Sequence, residues 1–278
     1  MPISPERYIA RAIILTLAGF CATACETTTV SKPAQSLIPA PISRQAVSSI
    51  NVNTEHFKFG DYSSSAWVSD NFIGQHERQF RDSGLSFGVS QTAPEGGLDV
   101  GLSRADIAPA PVAQAIENLR VCSSYETNLS GTGRWWAGPK ISVNWQGDEA
   151  AKQNGDDWYE NYIVEIASSS PDELHDIFMG DYFKGEELPS TKLAGSNYRH
   201  YKIRFHSWWQ FWSVRQDYRG SGTLSIAPIV KVWIKHGLPS KRQFDGVKAN
   251  IETYGAIKGH GQLRMNTTTD PTETLSCE

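Results

Sequence analysis

The chain is poor in the residues that hold soft metals. Its 278 residues include four cysteines, three methionines and seven histidines, and the histidines show no ligand spacing. It has no excess of positive charge: 26 Lys and Arg stand against 30 Asp and Glu, a formal net charge of -4. Without a basic footprint, recognition of nucleic acid is disfavoured. No long apolar run follows the first residues, and no internal repeat is present. The one early run, Ala12–Phe20 after Arg7 and Arg11, is too short to span a bilayer. No cofactor or metal is implied by any of these features.

The start reads instead as an export signal, with Ala22-Thr23-Ala24 as its small-residue cleavage site. Cleavage after residue 24 leaves Cys25 first, either as the acylated residue of a bacterial lipoprotein or as an ordinary residue of a secreted chain. The expected location is thus the cell envelope or the exterior, with membrane contact only through a lipid. Cys21 leaves with the signal, so Cys122 and Cys277 remain as a candidate disulfide, or as two free thiols. Residues 25–50, rich in Thr, Ser, Pro and Ala, suit a flexible linker. The folded domain is expected over 51–267, with 268–278 as a tail.

What the chain has in quantity is aromatic: 9 Trp, 10 Tyr and 11 Phe. Many such rings are core, but flat rings in a groove also stack on the apolar face of a sugar. Between turn residues lie short alternating or β-branched segments, including Leu85–Val89, Lys140–Trp145, Trp158–Ile166, Tyr198–Phe205, Gln210–Gln216, Thr223–Ile226 and Val247–Tyr254. Their number and spacing predict an all-β sandwich or barrel. Helix is expected only around 112–118, around 230–236, and over 171–178 with Ser170 as N-cap.

Two of these strands carry glutamates among aromatic and amide neighbours. In Trp158-Tyr159-Glu160-Asn161-Tyr162-Ile163-Val164-Glu165, strand alternation puts Glu160 and Tyr162 on one face. In Val247-Lys248-Ala249-Asn250-Ile251-Glu252-Thr253-Tyr254-Gly255 it groups Lys248, Asn250, Glu252 and Tyr254. Paired carboxylates in such settings fit glycoside hydrolysis. Glu165, taken alone, reads as a solvent-facing residue.

Four ordered blocks then resemble glycoside hydrolase family 11, the endo-β-1,4-xylanases. Gln210-Phe211-Trp212-Ser213-Val214-Arg215-Gln216 with Arg219-Gly220-Ser221-Gly222-Thr223 resembles the family's QYWSVRQ…R-x-SGT run. Trp233-Ile234-Lys235-His236-Gly237-Leu238 resembles AW-x-x-HG(M/L). Glu160 matches the nucleophile of EYY(I/V)VE, and Glu252 the acid/base of (V/A)TEGY. The resemblance implies a β-jelly-roll of two curved antiparallel sheets with an open cleft. It also implies a monomer that hydrolyses xylan internally by double displacement. Carboxyl groups about 5–5.5 Å apart would accompany that mechanism. Trp67, Tyr125, Tyr162, Gln210, Trp212 and Tyr254 are the implied substrate-binding residues.

Departures leave two alternatives, a hydrolase of another polysaccharide and a non-catalytic glycan-binding lipoprotein. Eight residues, Lys202–Trp209, replace the family's long thumb hairpin, and Trp208 and Trp209 either substitute as a stacking platform or pack in the core. Asn161, Thr253 and Asn144 stand where the family has other cleft residues. Ser90 aligns with the acid/base partner. The acidic stretch with Asp172, Glu173, Asp176, Asp181, Glu186 and Glu187 is expected to be a solvated loop.

Overall fold

The computed structural model describes residues 56–59, 61–81, 84–104, 110–143, 159–205 and 208–277. The export signal, the linker, Cys25, Asn144 and Trp158 lie outside the described residues. Among the described residues, sixteen strands and three helices follow in order. The first half holds β1 (Phe57–Phe59), β2 (Tyr62–Val68), β3 (Gly74–Arg81), β4 (Gly84–Gln91), β5 (Gly97–Arg104), β6 (Ala110–Pro111) and α1 (Val112–Ala115). Then come β7 (Arg120–Gly131), β8 (Arg134–Val143), β9 (Tyr159–Val164), β10 (Ile166–Ala167) and α2 (Pro171–Met179). The chain continues through β11 (Glu186–Leu193), β12 (Ser196–Phe205), β13 (Trp208–Arg215) and β14 (Ser221–Ser225). It ends with α3 (Ala227–Lys235), β15 (Gln243–Tyr254) and β16 (Ile257–Thr268).

Among the described residues these strands make two sheets in a jelly roll. The larger runs β1-β2-β5-β15-β8-β9-β13-β12-β11, with β10 and β6 attached; the smaller runs β14-β7-β16-β4-β3. Pairing is antiparallel except between β9 and β13, where Glu160 lies opposite Gln210 and Tyr162 opposite Trp212. Alternation explains the smaller sheet: Gly261, Leu263 and Met265 of β16 are buried while Gln262 and Arg264 between them are not. Strands β9, β13 and β15 differ, because both their faces are buried.

The main core explains one of those faces. Ile163, Phe211, Ala249 and Ile251 pack there with Leu85, Phe87, Val121 and Leu263 of the smaller sheet. Trp233 of α3, fully buried, joins this core. The face turned away from the smaller sheet has a second apolar cluster, made of Tyr162, Val164, Tyr201, Ile203, Trp212 and Val214 with Leu174 and Phe178 of α2. The acidic stretch is therefore not a solvated loop. Its polar residues line the outside of a helix whose apolar side faces the sheet, and its end becomes strand β11.

Helix α2 begins as its residues dictate. Ser170 Oγ accepts from Glu173 N at 3.2 Å, and Ser170 N donates to Glu173 Oε2 at 2.7 Å, a reciprocal capping box. Pro171 occupies the first turn, where it costs no hydrogen bond. Gly138 admits no side chain: a Cβ there would stand 1.6 Å from the Ile163 carbonyl oxygen, where β8 passes against β9.

Cys122 and Cys277 are joined by a disulfide that closes a 155-residue separation, with Cα atoms 5.1 Å apart. It ties the segment after β16 to β7. Replacing both cysteines with serine should cost about 2–5 kcal/mol, read as a lower urea midpoint; an unchanged midpoint would mean that the tail contributes nothing.

Candidate active site

Register brings the two glutamates to one face of the larger sheet. Across β2, β5, β15 and β8 runs a row of Trp67, Asp99, Glu252 and Trp136, each opposite the next. Across β8, β9, β13 and β12 runs Lys140, Tyr162, Trp212 and Tyr201. Glu160 and Gln210 share the neighbouring row. Of the sequence-derived residues, Glu160, Glu252, Tyr162, Gln210, Trp212, Tyr254 and Trp67 therefore converge on this face.

Glu160 is 9% exposed and is held by neutral donors. Gln210 Nε2 donates to its Oε2 at 2.6 Å, and Trp208 Nε1 donates to the same oxygen at 3.1 Å. Trp212 Nε1 in turn donates to Gln210 Oε1 at 3.1 Å, which orients the amide. Trp208 is thus neither a stacking platform nor a plain core residue, because its indole N–H grips a carboxylate. Trp209 points the other way, with Lys202 Nζ 4.4 Å and Arg204 Cζ 5.0 Å from its ring centre.

Glu252, 3% exposed, lies in a different environment. Lys140 Nζ lies 2.7 Å from Glu252 Oε1 and 2.9 Å from Asp99 Oδ2, and Lys248 Nζ approaches Asp99 Oδ1 at 3.1 Å. Tyr254 OH lies 3.4 Å from Glu252 Oε2. Gly101 makes room, since a Cβ there would sit 2.5 Å from the Lys248 stem. Burial pushes the Glu252 carboxyl up to about 8; Lys140 opposes this, while the Asp99 charge and, more weakly, the Glu160 charge reinforce it. Burial would raise Asp99 too, but Lys140 and Lys248 override it and hold Asp99 well below the usual carboxylate range. Lys140 is driven up by Asp99, Glu252 and Glu160 against its own burial.

Aromatic rings enclose the pair. Trp136 stacks on Tyr254 (centroids 5.1 Å apart) and Tyr162 stacks on Trp212 (4.1 Å). Trp136 Nε1 and Asn250 Oδ1 are buried on this face without a hydrogen-bond partner among the described residues, leaving one donor and one acceptor for a ligand.

Several expectations need correction. Tyr125 is not in the cleft: it lies on β7 of the smaller sheet, 3% exposed within the main core. Ser90 is not the partner of Glu252, because it is exposed on β4 of the other sheet; Asp99 takes that place. Glu165 is buried, accepting hydrogen bonds from Tyr198 and Arg219. Asp99, Lys140 and Trp136 belong to no matched motif, yet they sit beside Glu252. Among the described residues no group of three or more His, Cys, Asp and Glu could hold a metal ion.

Solved structures share this architecture. The family 11 xylanase from Neocallimastix patriciarum superposes with a TM-score of 0.57 at 16% identity, over 80% of this chain and 99% of that one. The xyloglucanase domain of NopAA, a type three effector from Sinorhizobium fredii in complex with cellobiose, gives 0.57 at 14%, over 77% and 97%. A double-cysteine mutant of ENZbleach xylanase gives 0.55 at 22%, over 76% and 80%. The chain carries the family 11 xylanase fold. No family model matches its sequence, and no curated protein compared with it does.

The raised Glu252 has a consequence for stability. A carboxyl that binds its proton more tightly folded than unfolded contributes fully below its unfolded value, and that contribution is lost as pH rises toward about 8. The Glu252→Gln variant has no such proton to lose. Its melting temperature relative to wild type should therefore climb between about pH 5 and pH 8, by ~2–8 °C. A pH-independent difference would contradict the assignment.

Proposed function

We propose that the protein is a retaining glycoside hydrolase that cuts a β-1,4-linked glycan, xylan or a related backbone, with Glu160 as nucleophile and Glu252 as acid/base. The observation that carries this reading is the contrast between the two glutamates on one sheet face. Glu160 is aimed by neutral donors, and Glu252 is surrounded so that it keeps its proton near neutral pH. One carboxyl that keeps its proton beside another placed to attack is what this chemistry requires.

In the first step Glu160 attacks the anomeric carbon, and Glu252 protonates the leaving oxygen. Lys140, 2.7 Å from Glu252 Oε1, stabilises the carboxylate this produces. In the second step Glu252 takes a proton from water, whose oxygen displaces Glu160 with net retention. Trp67 and Trp136, both partly exposed, offer surface to sugar rings, and Tyr162, Trp212 and Tyr254 form the buried floor beside the carboxyls. The xylanases and the xyloglucanase domain among the similar folds support a glycan as substrate. Export, either as a lipoprotein anchored through Cys25 or as a secreted protein, is part of the same reading; the Cys122–Cys277 bridge suits an oxidising compartment.

Reducing-sugar release from xylan, xyloglucan and mixed-linkage glucan tests the proposal. Glu252→Gln should lose about 10²–10⁴-fold on these polymers and lose far less on aryl glycosides, whose leaving groups need no proton. Glu160→Gln should be inactive on both. Wild type that binds a glycan without releasing sugar would favour a binding protein instead.

A further inference from the structure

Helix α2 lies on the face that carries the glutamates, and its apolar side covers the aromatic floor. Phe178 sits 5.0 Å from the Trp212 ring centre and 5.1 Å from that of Tyr201, while Phe183 packs on Phe205 at 5.7 Å. The space between the side chains of α2 and the floor formed by Gln210, Trp212, Glu252 and Tyr254 is about 50 Å³. That is room for a water or two, far below the ~300 Å³ at which ligand pockets begin. Glu160 and Glu252, at 9% and 3% exposure, are shut in with it. Hydrolysis puts a sugar on each side of the bond that lies between the two carboxyls. In this arrangement no sugar fits beside them under the helix.

The segment that closes the site is self-contained. Strand pairing stops at Ala167 of β10 and resumes at Glu186 of β11. Between them the chain satisfies its own backbone. The Ser170–Glu173 capping box starts the helix, and at its end Lys184 N donates to Gly180 O and Gly185 N to Phe178 O, each at 2.8 Å. Among the described residues, no backbone–backbone hydrogen bond joins 170–185 to a neighbouring element. Side-chain contacts hold it down: the apolar stripe, Tyr218 OH donating to the Ser169 carbonyl at 2.9 Å, and Arg199, which reaches Asp172 at 3.1 Å and His175 Nδ1 at 2.6 Å. The Asp172 side chain is 91% exposed, so that ion pair is a weak latch. Lifting the helix therefore breaks side-chain contacts and no strand pairing.

Building on the proposed hydrolysis, we infer that α2 is a lid, closed in this structure, which a glycan substrate displaces. In the closed form Phe178 and Phe183 occupy the ring surface of Trp212, Tyr201 and Phe205. In the open form that surface is available to sugar, beside the Gln210 that aims Glu160. Without sugar the bared rings face water, and burying apolar surface again shuts the lid. The free protein is thus mostly closed, and its apparent affinity for glycan falls in proportion to the fraction that is open. Opening by substrate also keeps the paired carboxyls dry between turnovers.

Hydrogen exchange with the full-length Glu160→Gln variant, alone and saturated with xylan or xyloglucan oligosaccharides, tests the lid without turnover. Off the sheet, a helix of nine residues is too short to keep its hydrogen bonds. The amides of 171–185 should therefore exchange several-fold faster with glycan bound, while those of β12 and β13 do not. Bound glycan that leaves 171–185 equally or more protected would overturn the lid. In steady state, Phe178→Ala and the milder Ile177→Ser, each checked by thermal melting, should raise kcat/KM on the polymer several-fold, chiefly through a lower KM. Folded variants at or below the wild-type kcat/KM would overturn the lid and leave the hydrolase reading standing. No reducing sugar from xylan, xyloglucan or mixed-linkage glucan with wild type or either lid variant would overturn both.

Discussion

The ammonium of Lys140, held between Asp99 and Glu252, is the interaction around which the site is arranged. Removing charges from water is costly, so a buried cluster persists only when its charges balance. Lys140 and Lys248 carry ammonium groups beside the Asp99 carboxylate, and the Glu160 carboxylate acts on Lys140 as well. With Glu252 protonated the sum is zero. On the proposed mechanism Glu160 loses its charge when it forms an ester, and Glu252 gains one as it gives up its proton. The sum is again zero. The cluster therefore suits the two states that the reaction alternates between. The 2.7 Å contact from Lys140 to Glu252 lies where the negative charge arrives.

Around this cluster the sheet has to be dry on both faces. The main core excludes water from behind β9, β13 and β15. In front, Trp136, Tyr162, Trp212 and Tyr254 close over the carboxyls, and α2 completes the cover on one flank. Low local polarity strengthens each charge interaction there and accounts for the large displacement of Glu252. The same burial that raises Glu252 in the folded state makes its ionisation a cost to stability at higher pH.

Much of the fold was legible in the sequence. Short alternating segments between turn residues predicted a sandwich, and each of those segments overlaps an observed strand, with Glu165, Gln216 and Ile226 falling just outside. The expected helix over 171–178 forms with Ser170 as its cap, because Ser170 and Glu173 have the spacing of a capping box. What was hidden is where that helix packs. Leu174, Ile177 and Phe178 hold the i, i+3, i+4 stripe of a buried helical side, but the surrounding Asp and Glu made the stretch look solvated. Glu160 and Glu252 stood out because motifs flank them. Asp99 and Lys140 did not, since each reaches Glu252 only through pairing across strands distant in sequence. Tyr125 was misplaced for a related reason: β7 buries Val121, Ser123 and Tyr125 on its core side, and its membership of the other sheet cannot be read from alternation.

The central claim is that Glu160 forms a covalent bond to sugar while Glu252 manages the proton. Incubation with a 2-deoxy-2-fluoro glycoside bearing a good leaving group, followed by peptide mass mapping, tests it most directly. The account predicts a single glycosyl adduct on the peptide containing Glu160, formed by wild type and absent from Glu160→Gln. Turnover of natural glycan with inverted product, or an adduct on any other carboxylate, would contradict it.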